Sequence, residues 1–357
     1  MSKINGMKFS KFYIKDIDLE LEKWIGKSLR KEEAKEITDV DEVKFKSQFN
    51  SDIHKMITMK DEINLYLDLE RMSADTEGTI SHKFANEMMN KYPQIRVNNI
   101  YSKIGELRLK KSPQEVEKIK KAIEITKSGI EKLMTECRSG MKEYELEAYF
   151  DFNCKIKGAT DLAFTTIAAA GKNATTLHYV ENNSKLKDGD LILFDLGAEY
   201  NCYNADITRT FPISGKFTER QKEVYNSVLK VNEEIINLIK PGMKYKDINE
   251  KATDLIAEEC IKLGLIKDKS EVRKYYYHSI GHSLGMDTHD IETPHRDIIF
   301  EPGVVFTVEP GIYIQEEGIG IRIEDDILVT NEGVINLSSD IIKSVDDIEN
   351  FMDKFTK

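Results

Sequence analysis

Leu191-Ile192-Leu193-Phe194-Asp195-Leu196-Gly197 is an apolar run that delivers a carboxylate just before a glycine. Val304-Val305-Phe306-Thr307-Val308-Glu309-Pro310-Gly311 does the same much later in the chain. Short runs rich in β-branched and aromatic residues, closed by glycine, read as buried strands. A carboxylate in such a place costs several kcal/mol unless it is paired or holds a metal. Each run is therefore a candidate core strand and a candidate source of chemistry. A second acid follows each one, Asp206 after the first and Glu324 after the second.

The matching extends outward. An Ile-rich helix ends in Arg138-Ser139-Gly140-Met141-Lys142 and an acidic helix follows. Another such helix ends in Lys240-Pro241-Gly242-Met243-Lys244 and is followed in the same way. His178 and His289 make a further pair. In chain order the spacing of the pairs widens steadily, as expected of two homologous halves with small insertions. Such halves can pack about a pseudo-twofold axis and bring matching residues to a shared centre. The expected class is α+β with an internal pseudo-twofold repeat.

Upstream, Ser112-Pro113-Gln114-Glu115 is a capping box with proline at the first helical position. Val116, Ile119, Ile123, Ile130 and Leu133 then mark one apolar helix face. Arg108-Leu109-Lys110-Lys111 reads as a linker, which divides the chain into an α/β segment, 1–108, and a larger domain, 109–357. In the first segment Asn64–Leu69 alternates like a strand and Ser81–Asn90 reads as a short helix. His54 and His82 fall there, far in sequence from other metal-type residues, and read as surface or packing residues.

The chain has 357 residues, 40% of them hydrophobic and 32% charged, which fits a folded protein of about two domains. Its net charge of −11, with Lys and Arg dispersed among the acids, disfavours a nucleic-acid partner. The four cysteines, Cys137, Cys154, Cys202 and Cys260, include no C-x-x-C pair and read as buried thiols in a reducing compartment. Met1–Lys15 lacks the ~7–15-residue apolar stretch of a secretory signal, and no run of ~18 apolar residues suggests a membrane span. The cytoplasm is the expected location.

Asp195, Asp206, Glu309 and Glu324 offer carboxylates, and His282 in Gly281-His282-Ser283-Leu284-Gly285 offers a nitrogen. Carboxylates with a histidine suit divalent manganese, cobalt or zinc. One ion would be over-supplied with negative charge, whereas two divalent ions balance four carboxylates. Two ions roughly 3.5–4 Å apart are the arrangement of hydrolases in which a bridging water becomes a hydroxide nucleophile. Arg322, two residues before Glu324, would share its strand face and could hold that carboxylate, or form a surface ion pair of little worth. His178, His278 and His289 gather near the same motifs and read as donors to a substrate carbonyl or oxyanion. His295 reads as a loop residue.

These residues resemble a known family. Asp195 in FDLGAEY, Asp206 in NADITRTFP, His282 in HSIGHSLGMDTHD, Glu309 in FTVEPGIY and Glu324 in GIRIEDDILVT resemble the ligand motifs of the pita-bread metallopeptidases. LHY, GHSLGMDTHD and GIRIEDD are closest to Xaa-Pro aminopeptidases (aminopeptidase P) and prolidases. The likeness covers about residues 112–340. Upstream, Glu22–Lys27 and Arg108–Ser112 are similar to the end of the aminopeptidase P N-terminal domain. The resemblance implies a pita-bread C-terminal domain with two divalent ions, manganese first, with cobalt or zinc as alternatives. Asp195, Asp206, His282, Glu309 and Glu324 would bind them, and Glu309 would also carry the proton beside the bridging hydroxide. His178, His278, His289 and Arg322 would bind substrate, His178 and His289 would serve catalysis, and Arg322 would also support the site.

The implied reaction releases the N-terminal residue from peptides with proline in second position. The implied assembly is a homo-oligomer, dimer or tetramer, with Trp24 reaching a neighbouring subunit's site. In this family the N-terminal domain is usually longer, so 1–108 is expected to be a shortened version. A prolidase restricted to Xaa-Pro dipeptides is the nearest alternative. A non-catalytic module of the same fold is disfavoured, because all five ligand types are present.

Overall fold

The computed structural model describes residues 2–4, 7–71, 73, 75–290 and 298–355. The chain folds into two compact units, Met1–Tyr101 and Ser102–Lys357.

In the first unit two strand pairs are parallel, Lys11–Ile14 with Glu42–Phe45 and Ile63–Leu67 with Ile95–Asn99. Parallel neighbours need a crossover between them. Helix Lys31–Thr38 lies within the first connection and helix Ile80–Lys91 within the second. Two small cores result, one of Ile14, Ala34 and Val43 and one of Ile57, Met88 and Ile95. The strand and helix expected at 64–69 and 81–90 are both present. His54 bonds the Tyr92 hydroxyl and His82 bonds Thr79, so both serve local structure.

The second unit opens as the capping box requires. Ser112 N donates to Glu115 Oε2 at 2.7 Å, and Glu115 N donates to Ser112 Oγ at 3.4 Å. Helix Pro113–Glu136 follows, with Val116, Ile119, Ile123, Ile130 and Leu133 buried. Arg108 lies in a helix, Tyr101–Leu109, rather than in a free linker, and Lys111 is buried.

The repeat is visible in the hydrogen bonds. Helices Pro113–Glu136 and Glu143–Ile156 are joined through Gly140, and helices Glu219–Leu238 and Tyr245–Lys262 through Gly242. Both glycines have left-handed φ, +94° and +89°. Gly140 N donates to Leu186 O at 2.9 Å, and Gly242 N donates to Phe300 O at 2.8 Å. Leu186 N returns to Met141 O, and Phe300 N returns to Met243 O. The same turn is thus built twice on equivalent residues.

Each half then supplies antiparallel strands. Leu191–Leu196 lies between Ile167–Ala170 and Ile207–Pro212, with Asp195 opposite both Ile167 and Thr208. Asp325–Val329 lies between Val305–Val308 and Val334–Asn336, with Val308 opposite Asp325. Gly311–Ile314 and Ile319–Arg322 form a hairpin. Glu324 N donates to Thr208 O at 3.1 Å, which ties one half to the other at the acids. One large apolar cluster underlies both halves.

Cys137, Cys154 and Cys260 are buried, but Cys202 is exposed. Asn201 and Cys202 form the two-residue tip between strands Ala198–Tyr200 and Tyr203–Asn204, both with positive φ. Such a turn matches the strand twist and projects into solvent.

Candidate metal centre

The second acid of each half is held at the start of a strand. Asp206 directly precedes strand Ile207–Pro212, and Glu324 directly precedes strand Asp325–Val329. Both are buried. Ligand atoms of Asp206, His282 and Glu324 all lie within 4.8 Å of one another. His282 Nδ1 lies 3.2 Å from Ser283 O. That contact puts the proton on Nδ1 and leaves Nε2 as a lone-pair donor. His282 Nε2 stands 3.4 Å from Asp206 Oδ2 and 3.9 Å from Glu309 Oε1. Asp195 lies near enough to act on the charge of both acids, and its Oδ1 is buried with no hydrogen-bond partner among the described residues.

The electrostatics describe a concentration of negative charge. Burial, then Asp195, Asp326 and Glu309, push the Asp206 carboxyl well above the usual range. Burial, then Asp206, Glu309 and Asp195, do the same to Glu324. The Glu309 carboxyl is pushed up to about 7, mainly by burial with Asp195 adding, against the opposing pull of His282 and Arg322. Buried carboxylates that repel one another, an idle carboxylate oxygen and a free imidazole nitrogen fit a hard divalent cation.

Arg322 corrects one expectation. It does not pair with Glu324. Its Nη2 donates to Asp195 Oδ2 at 2.5 Å, its Nη1 to the Tyr313 hydroxyl at 3.1 Å and its Nε to Thr208 Oγ1 at 3.0 Å. Strand Ile319–Arg322 ends at Arg322, so the two-residue periodicity linking Arg322 to Glu324 is broken. Thr208 Oγ1 donates onward to Glu324 Oε2 at 2.6 Å, so the support reaches Glu324 through the threonine.

The histidines rim the acids. His278 Nε2 bonds the Tyr313 hydroxyl at 2.9 Å and its Nδ1 bonds Ser279 O at 2.7 Å. Burial, with Arg322 adding, pushes its pKa down to about 3. His278 is therefore neutral near pH 7, and its 3.7 Å approach to Glu309 is not an ion pair. The His289 ring lies 4.2 Å from the His282 ring at 65°. Burial and the neighbouring His282 and His178 lower its pKa. His178 is exposed. His295 lies outside the described residues.

Sequence reasoning missed Thr208, Tyr313 and Asp326. Asp326 Oδ2 accepts from Asp206 N at 3.2 Å, and its Oδ1 is buried without a partner among the described residues. The run of three acids in Glu324-Asp325-Asp326 was the available signal. Asp325 is spent elsewhere, on the fully buried Arg209 at 2.6 Å and on Lys343 at 2.6 Å.

Residues 117–331 match the model of metallopeptidase family M24, and the chain belongs to that family. Residues 6–66 match the aminopeptidase P N-terminal domain. The Xaa-Pro aminopeptidase of Escherichia coli K12 is 35% identical over 361 residues, covering 94% of this chain and 80% of that one. Xaa-Pro aminopeptidase 3 of Rattus norvegicus is 40% identical over 268 residues, covering 71% of this chain and 53% of that one. A solved Bacillus anthracis structure assigned to aminopeptidase P superposes with a TM-score of 0.94 at 45% identity, covering 97% of this chain and 82% of that one. Escherichia coli aminopeptidase P with the inhibitor Pro-Leu superposes at 0.87 with 34% identity, covering 96% and 82%. Within its family the chain is a metal-dependent aminopeptidase of the aminopeptidase P group, with the pita-bread fold.

Proposed function

We propose that the chain releases the N-terminal residue from peptides whose second residue is proline, using two divalent ions held by Asp195, Asp206, His282, Glu309 and Glu324. The observation that carries this reading is the buried meeting of Asp206, His282 and Glu324 within 4.8 Å. Manganese is the proposed native metal. Zinc also enters a relative, since a zinc-substituted Escherichia coli aminopeptidase P has been solved with product. Bound divalent ions polarise a carbonyl and lower the pKa of water toward neutrality.

The chain's own groups do the rest. In this reading Glu309 takes the proton from the attacking water and passes it to the leaving nitrogen. The departing proline nitrogen needs that proton because an amine, not an amide anion, is the viable leaving group. Neutral His278 is fixed between Ser279 and Tyr313, with its Nδ1 3.7 Å from Glu309 Oε2. His178 and His289 hydrogen-bond the scissile carbonyl and steady its developing charge. Arg322 holds Asp195 in register. Proline is selected because its nitrogen carries no hydrogen and its ring fixes φ.

Residues 1–108 are proposed as a shortened aminopeptidase P-type N-terminal domain and 109–357 as the catalytic domain. The match at 6–66 and the boundary between the two compact units at Tyr101/Ser102 support this division. A homo-oligomer is proposed from helix Leu19–Ile25, which buries none of its residues and exposes Leu19, Leu21, Trp24 and Ile25. The cytoplasm is proposed from the free cysteines. Among the described residues no helix is long and apolar enough to cross a membrane.

Hydrolysis of Ala-Pro-Ala and Ala-Pro by the manganese-loaded protein, with light scattering on the same sample, tests these readings. Cleavage of the tripeptide before proline, abolished in Glu309→Gln, is expected. Cleavage of the dipeptide alone would move the assignment to a prolidase. Inactivity on both would overturn it.

A further inference from the structure

The segment that reads as a linker carries two cations that the fold turns against the histidine loop. Lys111 Nζ donates to Asp290 Oδ2 at 3.0 Å, with side-chain exposures of 1% and 2%. Arg108 Nη2 donates to Asp290 Oδ1 and, at 2.7 Å, to Asp287 Oδ2. Both carboxylate oxygens of Asp290 are thus taken by cations from a distant part of the chain. The Asp290 backbone closes the loop on itself. Its N–H donates to Ser283 O at 3.0 Å, and Ser283 Oγ donates to Asp290 O at 3.2 Å. The loop so closed, Ser283–Asp290, begins beside His282 and contains His289.

Arg108 Nε is buried with no acceptor among the described residues. A buried ion pair with an idle donor is a costly way to fasten a connector, since apolar side chains of the same volume pack as well or better. The contacts instead converge on the residue bonded to His289. The loop also makes room for them at Gly285, where a Cβ would overlap Asp290 Oδ2 and crowd Lys111 Cε. From the other side Asn204 N donates to Gly285 O at 2.9 Å, and Thr288 Oγ1 donates to Ala163 O at 3.3 Å.

We infer that Arg108 and Lys111 are positioning residues of the active site: through Asp287 and Asp290 they fix the Ser283–Asp290 loop and so set the His289 ring against His282. The functional part of this inference rests on the proposed role of His289. The rigidity of the loop does not.

The full metal-loaded chain is compared with Arg108→Ala, Arg108→Lys and His289→Ala. Amide hydrogen exchange is read across Ser283–Asp290 and across strand Asp325–Val329, together with metal content and kcat and KM on Ala-Pro-Ala. In Arg108→Ala, exchange in the loop should rise at least about tenfold, with the strand and the metal content unchanged. The kcat should fall about 10–100-fold, as for loss of an outer-shell support, with KM within about threefold. Arg108→Lys should recover part of both losses. Unchanged loop exchange overturns the inference, and so does faster exchange spread evenly over loop and strand, which marks a fold staple only. Unchanged kcat in Arg108→Ala beside an impaired His289→Ala also overturns it. Full activity in His289→Ala would instead sink the proposed role of His289, while the exchange data would still decide whether Arg108 holds the loop.

Discussion

Thr208 has no exposed surface and stands between Arg322 and Glu324. Its hydroxyl has one hydrogen. Arg322 Nε can only donate, so that hydrogen goes to Glu324 Oε2, at 2.6 Å. Glu324 is thereby held by one oxygen and free to offer the other to a cation. Thr208→Val keeps the shape, removes this donor and leaves Arg322 Nε unsatisfied. Affinity for divalent metal should drop about 10–100-fold, read by competition with a chromogenic chelator, and Thr208→Ser should retain most of it. Equal affinity in Thr208→Val would show that the hydroxyl does not orient Glu324. The five proposed ligands could be singled out in the sequence because Asp195 and Glu309 interrupt apolar runs, Asp206 and Glu324 follow those runs in matching order, and His282 lies in a glycine-bounded motif. Thr208 and Tyr313 were not. A threonine in an alternating strand is ordinary, and Thr208 meets Glu324 across 116 residues of chain, which no local pattern records.

Helices Pro113–Glu136 and Glu143–Ile156 meet where Gly129 faces the Phe150 ring, closely enough that a Cβ at Gly129 would collide with it. A glycine inside a helix costs about 1 kcal/mol relative to alanine. Overpacking a core costs typically about 1–3 kcal/mol, and Phe150 is fully buried with little room to yield. Gly129→Ala should therefore destabilise by about 1 kcal/mol despite its better helix propensity, measured by urea unfolding. A stabilised variant would mean that the ring moves freely. The next element shows the same dependence on side-chain identity. Glu143, fully buried, accepts from Ala170 N, Ser184 N, Asn173 Nδ2 and the Tyr179 hydroxyl, and so pins both ends of the segment that carries His178. The start of helix Pro113–Glu136 was legible because a capping box is a local code. Helix Tyr101–Leu109 was not, because arginine and lysine bound for buried carboxylates look in sequence like solvated ones. Glu143 was hidden for the same reason, as one acid among several at a helix start.

At the scale of the molecule, a chain of net charge −11 also gathers carboxylates in its interior. With the Glu309 carboxyl raised to about 7, the folded chain keeps a proton that the unfolded chain loses near 4.3. The stability linked to that proton is fully present below about 4.3 and lost as pH rises through about 7, an effect on the order of 3 kcal/mol. Divalent metal reverses the trend, because it binds the folded chain and competes with protons for the same oxygens. The melting-temperature gap between metal-loaded and chelator-treated protein should widen from about pH 5 to about pH 8. A gap that stays constant or narrows would show that Glu309 is not among the groups that titrate against the metal. The twice-built turn at Gly140 and Gly242 has a consequence for ownership of the site. Asp195 and Asp206 come from one copy of the repeat, and His282, Glu309 and Glu324 from the other. Neither copy alone supplies all five proposed donors, so a half-length peptide would have to pair with a second copy of itself to assemble the set.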